Sequence, residues 1–240
     1  MSKNFSSIRQ IIATDKSTWA DQIFLTFDID WACDEVLSDA IDLVERADVH
    51  ATWFVTHETK LLQRLRRNPK FELGIHPNFN NLLEGNYSTA NSVREVVEKM
   101  LAIVPEALSV RSHSMTQSSR VLDCFRTFGL AYDCNHFIPA QAGMVLKPWH
   151  HWNGLTKVPY FWEDDVSLIY SSFSQPKELC CAEGLKVFDF HPIHVFLNSE
   201  SLARYDRVRQ VLDKPSELLA QRFKGEGTRA RLERLLELNK

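Results

Sequence analysis

A chain of 240 residues with 44% hydrophobic and 25% charged residues has the balance of a globular protein, which excludes disordered and fibrous classes. Its formal net charge is −3 and its Lys and Arg residues are scattered, so no basic stripe offers a footprint for nucleic acid. The opening stretch 1–22 has no apolar core of an export signal, and no later run approaches the roughly 20 apolar residues that span a bilayer; a cytoplasmic protein without a membrane span is expected.

The length suits one domain over residues 1–240, with an N-terminal extension over 1–20 and helices over 199–240. Five cysteines (Cys33, Cys124, Cys134, Cys180, Cys181) without C-x-x-C spacing point to reduced thiols rather than disulfides or a cysteine metal site. In chain order, QIFLTFDI over 22–29 reads as a strand, and 34–47 has apolar residues at helical spacing. HATWFVT over 50–56 is a second strand, with a helix over 58–67. A third strand over 71–75 is followed by a helix over 88–104 opened by a Ser or Thr cap. A fourth strand over 107–111 leads to a helix over 117–128 ended by Gly129, and then to a strand over 130–134. Further strands are expected over 156–160 and 185–190. Strands alternating with helices imply parallel pairing, so the expected fold class is α/β, either a distorted (β/α) barrel of about seven parallel strands or an open doubly wound sheet.

Candidate chemistry collects at strand ends. Asp28 and Asp30 close the first strand in TFDID, two residues apart and so on one face of extended chain. His76 follows the third strand, Arg111 and His113 the fourth in VRSHS, and His191 the last in VFDFHPIHVFLN, with His194 three residues on. An isolated histidine is commonly a satisfied structural residue. Carboxylates and imidazoles converging beyond the carboxyl ends of parallel strands are instead a ligand set for a divalent metal, zinc before cobalt, nickel or iron.

These motifs, in this order over about residues 24–198, resemble those of the NodB-type polysaccharide deacetylases (carbohydrate esterase family 4), and in particular divergent members of O-antigen or surface-polysaccharide biosynthesis. The resemblance favours the barrel and implies a role for each matched residue. TFDID gives Asp28 as catalytic base and Asp30 as metal ligand; ELGIHPNFN gives His76 as ligand and Asn80 at the place of a second ligand that is His in the family. Because an amide is a weaker ligand than imidazole, His113 or His194 is an alternative donor. VRSHS gives Arg111 as the residue holding the base, with His113 and Ser114 where the family has Pro-Tyr. FWEDDV gives Asp165, or its neighbour Asp164, as the acid that orients the catalytic histidine, and FDFHP gives His191 as the general acid.

The implied activity is metal-dependent hydrolysis of an N-acyl group on an amino sugar or glycan precursor, with water activated at the metal, Asp28 taking its proton and His191 protonating the leaving amine. Trp149, Trp152 and Trp162 are candidates to stack on sugar faces, with core packing or loop anchoring as the alternative. Two other readings stay open: a catalytically inactive sugar-binding barrel, favoured by Asn80, and a hydrolase of a non-sugar C–N amide.

Overall fold

The computed structural model describes residues 4–170 and 175–239, so the first three residues of the expected N-terminal extension and Lys240 at the end of the C-terminal helices lie outside it. The strands are β1 (Asn4–Ser6), β2 (Gln22–Asp28), β3 (Ala51–Val55), β4 (Phe71–Ile75), β5 (Ser109–Val110), β6 (Tyr132–Asp133), β7 (Trp149–His150), β8 (Thr156–Lys157), β9 (Trp162–Glu163) and β10 (Lys186–Phe190). They form one curled sheet in the order β7-β8-β6-β5-β4-β3-β2-β10-β9, parallel throughout except for the β7–β8 pair. The result is a half-barrel of ten described strands rather than about seven. β10 lies along one edge of β2, while β1 and then β3 share the other.

The helices follow the strands as the alternation predicts. α1 (Asp34–Ala47) matches its expected bounds; it opens on Asp34 and Glu35 and ends where Asp48 turns left-handed at φ 54°. Its buried stripe of Val36, Leu37, Ala40, Ile41 and Val44 packs toward the sheet side of the molecule. α2 (Leu62–Arg67) and α3 (Asn80–Leu83) are short. α4 (Val93–Ile103) starts later than expected, because the serine cap is Ser92, which accepts from the Glu95 N–H. α5 (Ser119–Thr127) is capped by Ser118, and Gly129 at φ 82° supplies the turn after it. α6 (Asp164–Ile169), α7 (Pro176–Leu179) and α8 (Pro192–Leu197) complete the main body, with α9 (Leu202–Val208), α10 (Pro215–Ala220) and α11 (Thr228–Leu236) in the C-terminal region.

Three expectations change. The strands expected over 107–111, 130–134 and 156–160 are only two residues long each, at 109–110, 132–133 and 156–157. The acidic stretch 161–166 is strand β9 running directly into α6. The N-terminal extension is part of the fold: β1 joins the sheet, Ile8 and Ile11 are buried, and the Arg9 N–H donates to the buried Glu72 carboxylate at 2.9 Å. Glu72 also accepts from Thr52 and Ser109 (3.0 and 2.8 Å), closing the end of the barrel away from the site with a satisfied polar layer.

One position ties the core to the site. A Cβ on Gly74 in β4 would stand 2.7 Å from both the Phe54 ring and the Ser109 hydroxyl. The absent side chain lets the Phe54 ring lie 4.6 Å from the Arg111 guanidinium carbon. Gly74→Ala is therefore expected to destabilise by about 1–3 kcal/mol through overpacking, a fall of roughly 2–12 °C in thermal midpoint for a chain of this size. Differential scanning fluorimetry reads this directly, and an unchanged midpoint would contradict the packing described.

Candidate active site

The carboxyl ends of the parallel strands place the motif residues around one cavity. Asp28 is the last residue of β2, and beyond it Asp30 and Trp31 take left-handed backbone (φ 36° and 53°), a costly conformation for a bulky side chain. This turn, not continued extended chain, aims Asp30 at the centre. His76 follows β4, Arg111 follows β5, and His113 opens a 3-10 turn, His113–Met115. His191 follows β10 and precedes Pro192, which opens α8.

Asp30 Oδ1, His76 Nε2 and His113 Nδ1 form a small triangle: Asp30–His76 3.3 Å, His76–His113 3.3 Å and Asp30–His113 3.5 Å. Donors about 2.0–2.2 Å from a tetrahedral zinc stand about 3.3–3.5 Å apart, so these three atoms have the spacing of three corners of such a site. Asp30 Oδ1 is shielded from solvent and finds no well-formed hydrogen bond, which leaves a donor free for a cation. His76 turns its other nitrogen, Nδ1, toward Asp28 Oδ2 at 3.5 Å without forming a hydrogen bond. Burial lowers the His76 pKa to about 3, so the ring is the neutral form that a metal needs. For Asp30, burial works against the charge, yet contact with His113 and the nearby His76 and His191 outweigh it and hold the carboxyl well below its usual range.

Asn80 does not join this group. It begins α3, its amide nitrogen is 3.5 Å from the Ser114 hydroxyl, and it is not among the residues lining the cavity. His194 is also turned away: its Nδ1 is 3.1 Å from the Ser199 hydroxyl, and its ring packs against Tyr205.

Below the triangle lies Arg111, 1% exposed. Its Nη1 donates to Asp28 Oδ1 at 2.9 Å, to Thr26 at 3.1 Å and to Asp189, while the guanidinium sits between the rings of Phe54 and Tyr160 at 4.6 and 4.3 Å. Burial raises the Asp28 carboxyl to about 6 against the opposing pull of Arg111 and His191, with Asp30 adding repulsion. Asp189 is lifted to about 7, by burial first and, against the pull of Arg111, by the proximity of Asp28.

His191 has a different anchor. Its Nδ1 is 2.7 Å from Asp164 Oδ1, and its backbone N–H donates to Asp164 Oδ2 at 2.9 Å. Burial disfavours the imidazolium, but the Asp164 charge and hydrogen bond, with Asp30 and Asp165, raise its pKa well above the usual value. The orienting acid is thus Asp164, not Asp165: Asp164, the first residue of α6, is fully buried against the histidine, and Asp165 lies at the cavity wall. His191 Nε2 stays open toward the cavity, 3.7 Å from Asp30 Oδ2.

The cavity, about 180 Å³, is lined by Asp28, Asp30, His76, Arg111, His113 and His191, with Tyr160, Glu163 and Asp165 on one wall. It adjoins a second of about 390 Å³ reaching α9, where Trp31, Tyr205 and Arg209 stand. None of the three tryptophans singled out in the sequence lines either space. Trp162 is core against Phe190, Trp149 packs on His136, and Trp152 is 74% exposed. Trp31, Asp189 and Tyr160 went unnoticed. Asp189 carried a signal: it stands two residues before His191 on a strand, hence on the same face.

Comparison with known proteins adds family evidence to this geometry. A profile of the WbmS-like polysaccharide deacetylases matches residues 25–209. A Bordetella bronchiseptica protein of known structure, described as a polysaccharide deacetylase involved in O-antigen biosynthesis, is 46% identical, with 99% of this chain and 98% of that one covered and a TM-score of 0.92. A structure described as a polysaccharide deacetylase from Mycobacterium smegmatis is 14% identical, with 99% and 95% coverage and a TM-score of 0.49. A 4-alpha-glucanotransferase from Thermococcus litoralis shares the fold alone, at 12% identity, 84% and 38% coverage and a TM-score of 0.50. No curated protein matches the chain. The chain belongs to the WbmS-like family of polysaccharide deacetylases, and its curled parallel sheet is the half-barrel of that fold.

Proposed function

We propose that the protein is a metal-dependent deacetylase that hydrolyses the N-acetyl group of an amino sugar within a glycan or glycan precursor. The support is the donor triangle of Asp30, His76 and His113, 3.3–3.5 Å on each side, set between a buried carboxylate held by Arg111 and a histidine held by Asp164. A divalent metal held by those three, zinc first by the chemistry of the donors, supplies Lewis acidity to the amide carbonyl and to the attacking water. With His113 beside Asp30 and His76, the departure at Asn80 no longer speaks for an inactive sugar-binding barrel.

In this reading Asp28 takes the proton of the attacking water on Oδ2, because Oδ1 is engaged by Arg111. Its pKa near 6 leaves it ionised at neutral pH yet more basic than an exposed aspartate. His191 gives the proton on Nε2 to the departing amide nitrogen, which leaves as an amine. Asp164 fixes the tautomer and holds the ring charged until that transfer. The C–N bond breaks as the water oxygen bonds to the acyl carbon, and the products are acetate and the free amino sugar. Trp31 and Tyr205, in the cavity that adjoins the site, offer aromatic faces to a sugar. A surface-polysaccharide precursor fits the O-antigen biosynthesis described for the 46%-identical relative. Among the described residues no helix is long and apolar enough to cross a membrane.

Protein purified without chelators is expected to carry about one equivalent of zinc or a similar metal by elemental mass spectrometry, and Asp30→Ala, His76→Ala and His113→Ala to lose it. Wild type without metal, even after zinc is restored, overturns the hydrolase mechanism. Asp28→Asn and His191→Ala are expected to keep the metal and lower kcat by roughly 10²–10⁴-fold, read as acetate release from a panel of N-acetylated oligosaccharides. Full activity in either variant removes the assigned proton transfers.

A further inference from the structure

His113 reaches the triangle from a loop rather than a strand end, and that loop carries strain. Ser114 and Met115 both take left-handed backbone, at φ 55° and 52°. Strained turns persist only where their surroundings over-determine them. Here the determinants are buried and lie on the ends of β6 and β8. Lys157, 2% exposed, pairs with Asp133, which is fully buried; Asp133 in turn accepts from the Asn135 amide nitrogen. The oxygen of the same amide, Asn135 Oδ1, accepts the backbone N–H of Ser112 at 2.7 Å, immediately before His113.

The far end of the loop is tied to the same group. Gln117 Nε2 donates to the Asn135 carbonyl at 3.3 Å, and Gln117 Oε1 accepts from Lys157 Nζ at 3.2 Å. The His113 N–H meanwhile donates to the Pro77 carbonyl at 3.0 Å, next to His76, so the two imidazoles share a backbone link. The Asn135 amide has one rotamer that satisfies both Asp133 and Ser112, and the buried Lys157–Asp133 pair sets it.

We propose that Asn135, fixed by the Asp133–Lys157 pair and aided by Gln117, is a positioning residue that holds His113 where it completes the metal site. The inference rests on reading Asp30, His76 and His113 as the ligands. It explains how a chain with Asn80 in place of a second motif histidine keeps three donors: the third comes from a neighbouring loop clamped at both ends.

The test is zinc affinity, measured by competition with a chromophoric chelator, for wild type, Asn135→Ala, Gln117→Ala, His113→Ala and the double variant Asn135→Ala/His113→Ala. Asn135→Ala is expected to bind zinc roughly 10–100-fold more weakly, the usual consequence of losing a residue that supports a ligand. Gln117 is exposed, so Gln117→Ala keeps the fold and should show a smaller loss in the same direction. The double variant should bind no more weakly than His113→Ala alone, because Asn135 acts through His113. Wild-type affinity in both single loop variants, or an Asn135 effect that adds in full to that of His113→Ala, overturns the proposal. Should Asn135→Ala fail to fold, Gln117→Ala decides it: weakened zinc binding supports the clamp and wild-type affinity ends it. Absence of zinc binding by wild type, or undiminished wild-type affinity in His113→Ala, instead removes the ligand assignment beneath it.

Discussion

Everything at the site is arranged around one buried cation. Arg111 is 1% exposed, and a guanidinium withdrawn from water is tolerable only when carboxylates and aromatic faces replace the lost hydration. Asp28, Asp189, Thr26, Phe54 and Tyr160 do so from four different segments, Thr26 and Asp28 sharing β2. Two carboxylates competing for one guanidinium cannot both be fully satisfied. Burial outweighs the pull of the shared guanidinium and raises both Asp28 and Asp189 above ordinary aspartates. The basicity of Asp28 is thus a property of the packed barrel rather than of the residue.

Two carboxylates that stand two residues apart in TFDID are driven to opposite behaviour by this arrangement. Asp28 is fully buried and moves up despite the pull of Arg111; Asp30, in the left-handed turn, faces three imidazoles that outweigh its burial and moves down. Neighbouring acids with separated environments are how one fold keeps a base and a ligand side by side. His191 draws on a separate anchor, Asp164, so it and Asp28 do not compete for one partner.

Much of this could be read from the chain, and the failures have physical causes. The long central strands and α1 were legible because their apolar periodicity spans five or more residues, and Asp28, His76 and His191 because strand ends in an α/β sheet face one mouth. β1 was not, since three residues, polar at both ends, carry no period. Choosing Asp165 over Asp164 failed because adjacent acids at a strand-to-helix junction differ only in the direction of the first helical residue. Asn80 was selected by motif spacing, but α3 starts there and turns it toward Ser114, while His113, the alternative donor, is the one that stands beside Asp30 and His76. Of the two readings of the tryptophans, packing holds for Trp162 and Trp149, because aromatic residues serve cores as readily as sugar faces.

The three donors stand 46 and 37 residues apart along the chain, at positions 30, 76 and 113, and none shares a helix or hairpin with another. No short unfolded segment can present them together, unlike the close-set ligands of a zinc finger, where metal capture and folding are one event. Closure of these long loops has to precede assembly of the triangle, so the slow, non-local strand pairing is complete before a cation finds three ligands. A metal held by this triangle would therefore arrive late in the life of the chain, and nascent or misfolded copies would compete poorly for it.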